Sequence, residues 1–137
     1  GVVVAGGKGM SGAGATVEIA QVTTGGELTA FVAASGFAPE RDGAVSVVGD
    51  GFVFTVGGGV ASNIEAGDYA TYIGTTSRSS RIQLGSPFTL GTFGTLGPTV
   101  PVAVGLHSLT SDSAFLYLLG GTTDDVNAID NGYYAVY

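Results

Sequence analysis

Three apolar runs set the period of this chain. Val2-Val3-Val4-Ala5 leads into Gly6-Gly7, Phe52-Val53-Phe54-Thr55-Val56 into Gly57-Gly58, and Phe115-Leu116-Tyr117-Leu118-Leu119 into Gly120-Gly121. The second glycines of the pairs stand 51 and 63 positions apart (7 to 58, 58 to 121). Recurrence on this scale marks a repeat architecture. Each run is β-branched or aromatic and apolar at successive positions, so the strand it predicts must be covered on both faces. Helix-period patterning is nearly absent and turn signals separate short runs, which predicts an all-β chain.

The same order of elements recurs around the three runs. Thr16 to Val22 predicts a strand, Thr24-Gly25-Gly26 a tight turn and Leu28 to Val32 the returning strand. Past a loop containing Pro39, Ala44 to Val48 predicts a strand that turns at Gly49-Asp50-Gly51 into Phe52 to Val56. Val102 to Leu109, a turn at Ser111-Asp112-Ser113 and Ala114 to Leu119 repeat that hairpin, and Tyr133 to Tyr137 supplies a last strand. The second repeat is longer by about ten residues, assigned to Asn63 to Ser80, ahead of a strand around Arg81 to Leu84. Insertions in repeat proteins fall in loops on one face, often the binding face. Tyr69, Tyr72 and Arg78 are therefore binding-surface candidates, the tyrosines because their rings stack on sugars and anchor protein contacts.

The order strand, Asp-Gly-type turn, apolar strand, Gly-Gly, strand, turn and aromatic residue resembles bacterial and phage-type kelch β-propeller repeats. Their period is ~50 residues, and a diglycine ends the second strand of each blade. The resemblance spans nearly the whole chain. It implies about three four-stranded antiparallel blades: an incomplete one over residues 1–38, one over 39–97 and an incomplete one over 98–137. Thr16 to Ala20 and Gly25 to Phe31 then become third and fourth strands, and Pro39-Glu40-Arg41-Asp42-Gly43 opens the next blade. The chain has no tryptophan, so Phe31 and Phe93 take the aromatic slot of the fourth strand. Gly6, Gly7, Gly57, Gly58, Gly120 and Gly121 become structural residues, letting backbones approach where a side chain would clash. Closed propellers have ~4–8 blades, so three imply part of a larger ring, completed by further blades or other protein chains. A first residue Gly1 and a single methionine, Met10, agree with a fragment, a processed product or a subunit.

Composition narrows the partners. At 137 residues, 45% of them hydrophobic and 11% charged, this is a packed chain of one-domain length. The net charge of −7 leaves only Lys8, Arg41, Arg78 and Arg81 as cations, too few for the basic footprint that nucleic acid or an anionic membrane requires. Without cysteine there are no disulfides, thiolate metal sites or thiol nucleophiles. No apolar stretch reaches the ~18 residues of a membrane-spanning helix. The Thr/Ser/Gly-rich, Lys-poor make-up suggests an extracellular or virion surface.

Little in the chain points to catalysis. His107, the only histidine, sits in an apolar run and reads as structural; a triad with Asp112 lacks a Gly-x-Ser-x-Gly elbow. Galactose-oxidase-like enzymes share the kelch architecture, but their copper site needs histidines and a cysteine-linked tyrosine that this chain lacks. The carboxylate pairs Glu65/Asp68 and Asp124/Asp125 stand in turn-like segments. Gly6 to Gly12 misses the phosphate-loop pattern, since Gly9 follows Lys8 and no amphipathic helix comes after. Asp124, Asp125, Asn127 and Asp130 form the densest oxygen cluster and are weak calcium candidates; no other cofactor is expected. The expectation is a non-catalytic propeller module that binds protein or glycan, or serves in a larger assembly such as a tail fibre. Part of a carbohydrate-active propeller enzyme and an outer-membrane β-barrel are the alternatives.

Overall fold

Asp50 and Gly51 both take left-handed backbone angles (φ 44° and 78°), the geometry that matches a two-residue turn to the twist of the strands it joins. They close the hairpin on which the middle of the molecule is built. The computed structural model describes residues 1–9, 12–37, 39–60, 71–73, 76–79, 90, 92–95, 100–124 and 126–137.

Twelve strands and no helix occur among these residues: β1 Val2–Gly9, β2 Gly12–Ala20, β3 Val32–Ala34, β4 Val45–Gly49, β5 Phe52–Val56, β6 Gly59–Val60, β7 Thr71–Tyr72, β8 Thr76–Ser79, β9 Phe93–Thr95, β10 Ser108–Asp112, β11 Phe115–Leu119 and β12 Gly132–Val136. They form three antiparallel sheets in chain order, β1-β2-β3, β4-β5-β8-β9 and β10-β11-β12, and a small ladder β6-β7. None of the sheets closes on itself. No described helix is long and apolar enough to cross a membrane.

The three glycine pairs occupy corresponding places. Gly57-Gly58 and Gly120-Gly121 follow the last residues of β5 and β11, whereas Gly6-Gly7 lies within β1, where the ladder slips by one residue between Ala5 and Gly7. Each pair carries the same two angles in the same order: φ 70° and 124°, 61° and 94°, 62° and 105°. The second glycine of each pair then meets one residue of the returning chain: Gly7 pairs with Gly14, and Gly58 and Gly121 accept hydrogen bonds from the N–H groups of Ile73 and Ile129, both at 2.9 Å. The periodicity of the sequence is thus a periodicity of backbone conformation.

Two predicted strands moved. Of Leu28 to Val32, Leu28 makes an isolated bridge to Val22 and Val32 opens the returning strand β3, whose three residues pair with Ile19, Glu18 and Val17. Of Val102 to Leu109, only Ser108 and Leu109 belong to a strand. Leu106 takes a left-handed angle (φ 53°) and its N–H donates to the Gly43 carbonyl (3.0 Å), so the continuous ladder of β10 begins at Ser108. Residues 41–43 and 104–106 are matching lead-ins: Asp42 exchanges two backbone hydrogen bonds with Gly59 (3.0 and 2.7 Å), and Gly105 does so with Thr122 (both 3.0 Å). The strand expected at Arg81 to Leu84 lies outside the described residues, and the third strand of the middle sheet is β8. Fifteen positions separate Gly58 from Ile73, against seven from Gly7 to Gly14 and eight from Gly121 to Ile129; residues 61–70, which include the start of the expected insertion, lie outside the described residues, and β6 and β7 pair on either side of them.

The main core lies between the second and third sheets, where Phe54, Val56, Val104, Leu116 and Leu118 are buried together. Val53 to Val56 are buried on both faces of β5, as the unbroken apolar run requires.

Candidate functional site

Backbone hydrogen bonds join the sheets at each seam. At the second seam, Gly58 N–H donates to the Val104 carbonyl (2.8 Å) and Val104 N–H donates to the Ile73 carbonyl (3.4 Å). At the first, Arg41, in the place of Val104, donates its N–H to the Gly14 carbonyl (3.3 Å). A side chain at Gly57 would overlap the Val104 carbonyl and come within 2.8 Å of the His107 ring; one at Gly6 would come within 2.9 Å of the Phe37 ring and 3.3 Å of the Arg41 carbonyl. At Gly120, the third member of the series, the nearest atom is the Ile129 carbonyl oxygen at 3.5 Å.

Side chains complete each seam differently. Arg41 is fully buried, donates through its guanidinium to Ser77 Oγ and lies 4.9 Å from the centre of the Phe37 ring, which meets Phe93 edge-on at 5.7 Å. Burial lowers the Arg41 pKa to about 10, which leaves it charged at neutral pH. In the second seam Phe54 packs on Tyr137 (4.3 Å between ring centres), and Ser111 Oγ donates to the Val48 carbonyl (2.9 Å). His107 is buried there, and neither ring nitrogen has a hydrogen-bond partner among the described residues. Burial lowers its pKa to about 4, so the ring is neutral and apolar in use. Asp112 does not reach it; its backbone carbonyl instead accepts from the Tyr137 hydroxyl (2.8 Å).

Of the candidate site residues singled out from sequence, Glu65, Asp68, Tyr69 and Asp125 lie outside the described residues. Tyr72 stands in β7, opposite Gly59. Arg78, opposite Phe54 in β8, holds its guanidinium 4.8 Å from the centre of the Phe52 ring. Phe31 is exposed ahead of β3, while Phe93 begins β9 and is half-buried. The Asp124 carboxylate accepts from the backbone N–H groups of Val126 (3.1 Å) and Asn127 (2.7 Å) and from Asn127 Nδ2 (2.6 Å). Those bonds, the Asn127 backbone first, hold its pKa below the usual carboxylate value and close a turn that Thr122 Oγ1 braces through the Asn127 carbonyl (3.0 Å). Asp130 is exposed, and among the described residues no cluster of three or more His, Cys, Asp or Glu could hold a metal ion.

The surface that sequence reasoning missed is on the third sheet. The register makes Phe52, Phe54 and Val56 correspond to Phe115, Tyr117 and Leu119, and Arg78 to Tyr134. Phe54 and Val56 are 0% and 2% exposed, whereas Tyr117, Leu119 and Tyr134 are 36%, 59% and 74% exposed. Phe115 ties the face together, 6.0 Å from Tyr117 and 6.3 Å from Tyr134 between ring centres, with Val136 opposite it in the register and exposed. Tyr133 and Tyr137 point the other way, into the second seam. Comparing the three runs position by position gives the signal: an apolar run that is covered on both faces in the middle sheet is covered on one face in the last.

An apolar pocket also lies between the second and third sheets, lined by Val56, Thr76, Leu109, Leu116, Leu118 and Tyr133 among others. Its lining offers no carboxylate, histidine or cation among the described residues. No protein-family model matches the chain, and no curated protein matches it significantly in sequence.

Proposed function

We propose that the chain is a non-catalytic array of kelch-like propeller blades that serves as a binding or assembly module through the aromatic face of its last sheet. The observation that carries this reading is the change of burial between corresponding positions. Phe54 and Val56 form the centre of a seam, and Tyr117 and Leu119 present the same pattern to solvent. A contiguous face of exposed Tyr117, Leu119, Tyr134 and Val136 around the half-buried Phe115 is of the kind that marks an interaction site, with aromatic anchors of the sort that dominate interface energetics. The recurring diglycine geometry supports the blade reading, because it sets successive sheets against one another by the same backbone contacts.

The reading makes the module an acidic surface protein, suited to an extracellular or virion assembly, with protein or glycan as partner. It is tested by incubating the protein with a panel of polysaccharides and assaying new reducing ends. No increase over the protein-free blank is expected; turnover that disappears in Asp124→Asn overturns the non-catalytic reading.

A further inference from the structure

The two seams have a common direction. In the middle sheet, Phe54 and Val56 point forward into the third sheet, and Val53 and Thr55 point back toward the first, all of them buried. In the third sheet the residues that point back, Leu116 and Leu118, are buried, and those that point forward, Tyr117 and Leu119, are exposed. The first sheet is the mirror case. Val4 corresponds to Thr55 and Leu118, which are 0% and 3% exposed, yet Val4 is 46% exposed. Its cross-strand partner Glu18 is exposed too, while Val17 and Ile19 on the other face are buried. The molecule therefore carries one uncovered forward face at the third sheet and one uncovered backward face at the first.

The backbone repeats the message. Gly58 N–H reaches the Val104 carbonyl of the following lead-in, but Gly121 N–H in the corresponding place has no acceptor among the described residues. Gly7, conversely, has open space where Gly58 meets Asp42 and Ala44 and Gly121 meets Gly105.

From these matched faces we propose that a second copy of this chain docks head to tail, its first sheet covering the Phe115, Tyr117, Leu119, Tyr134 and Val136 face. The proposal rests on the repeat-array reading above. A second copy is the fitting occupant because its backward face is related to that of the third sheet by the same repeat that already packs twice within the chain. Contacts of this kind are heterologous, and they close into a ring when the rotation permits. Two copies bring six sheets around one axis, within the ~4–8 of closed propellers.

The repeat fixes which residues meet. Phe54 packs in one cluster with Leu116 and Leu118, so Tyr117 of one copy faces Val2 and Val4 of the next. Sedimentation of the full chain is expected to give a dimer. A buried carboxylate in either face, Leu119→Asp or Val4→Asp, is expected to weaken association at least tenfold while the far-UV CD spectrum and cooperative unfolding stay unchanged. Mixing the two variants is expected to restore a heterodimer, since one unaltered forward face then meets one unaltered backward face. The natural chain has no cysteine, so Tyr117→Cys and Val4→Cys chains should cross-link to each other and not to themselves. A folded monomer up to the solubility limit, a self-linked Tyr117→Cys dimer, or association of Val4→Asp at full strength overturns the head-to-tail copy while leaving the repeat array intact. Loss of cooperative β-sheet unfolding in both surface variants instead counts against the repeat-array reading itself and, with it, the docking.

Discussion

Gly57 lies directly beneath the carbonyl of Val104, with no room between them for a single methyl group. Its backbone is also left-handed (φ 61°). Gly57→Ala meets two penalties, about 1–2 kcal/mol for an L-residue in that conformation and a comparable amount for displacing the lead-in, roughly 3 kcal/mol in all. Gly120 has the same angle (φ 62°) and its nearest neighbour at 3.5 Å, so Gly120→Ala is expected to show only the conformational part, about 1–2 kcal/mol. Urea unfolding of dilute protein, read as a shift in midpoint at unchanged slope, checks the difference. Equal losses at the two glycines contradict it.

Phe54 and Tyr117 make the same comparison with side chains. Removing the buried ring in Phe54→Ala is expected to cost about 3–5 kcal/mol through lost transfer energy and the cavity left behind. Tyr117→Ala, at the corresponding exposed position, is expected to cost about 1 kcal/mol or less in dilute protein. Chemical denaturation of both variants under identical conditions measures the contrast.

Acid should loosen the second seam before it affects the rest. His107 has a folded pKa of about 4 against an ordinary 6.5, lowered by burial. Between those values the unfolded chain binds a proton that the folded chain excludes, so stability is full above pH 6.5 and is lost as the pH falls toward 4. The melting temperature is expected to fall across that window in the wild type, and His107→Gln is expected to flatten the fall. A profile unchanged by the substitution removes His107 as the cause. Asp124, whose carboxyl is held below its usual value by Asn127, contributes in the same direction only at lower pH.

Arg41 and Ser77 link the first lead-in to the back of the middle sheet. A hydrogen bond to a charged group contributes about 1.5–3 kcal/mol, and Ser77→Ala is expected to lose that much. Arg41→Met keeps bulk and removes the charge, so the double variant is expected to be less destabilised than the sum of the singles, by about 1 kcal/mol. A double-mutant cycle by denaturant unfolding reads the coupling directly.

Much of the fold was legible because it is local. Asp50-Gly51 is a turn by its own chemistry, and Phe52 to Val56 and Phe115 to Leu119 are strands because β-branched and aromatic residues suit a pleated, covered ribbon. Val102 to Leu109 misled because its apolar residues serve a lead-in: Leu106 turns left-handed to reach the Gly43 carbonyl, a contact across 63 positions that no local pattern carries. The exposed aromatic face was missed for a different reason. Phe54 and Tyr117 stand at corresponding places in similar apolar runs ending in Gly-Gly, and their burial is decided by whether another sheet packs on them.

The seam at Gly58 and Val104 is made from main-chain atoms, whose hydrogen-bonding capacity is independent of which side chains flank them. Those hydrogen bonds therefore survive sequence drift at the flanking positions, whereas the packing of Phe54 and Val56 against Leu116 and Leu118 constrains which residues can stand there.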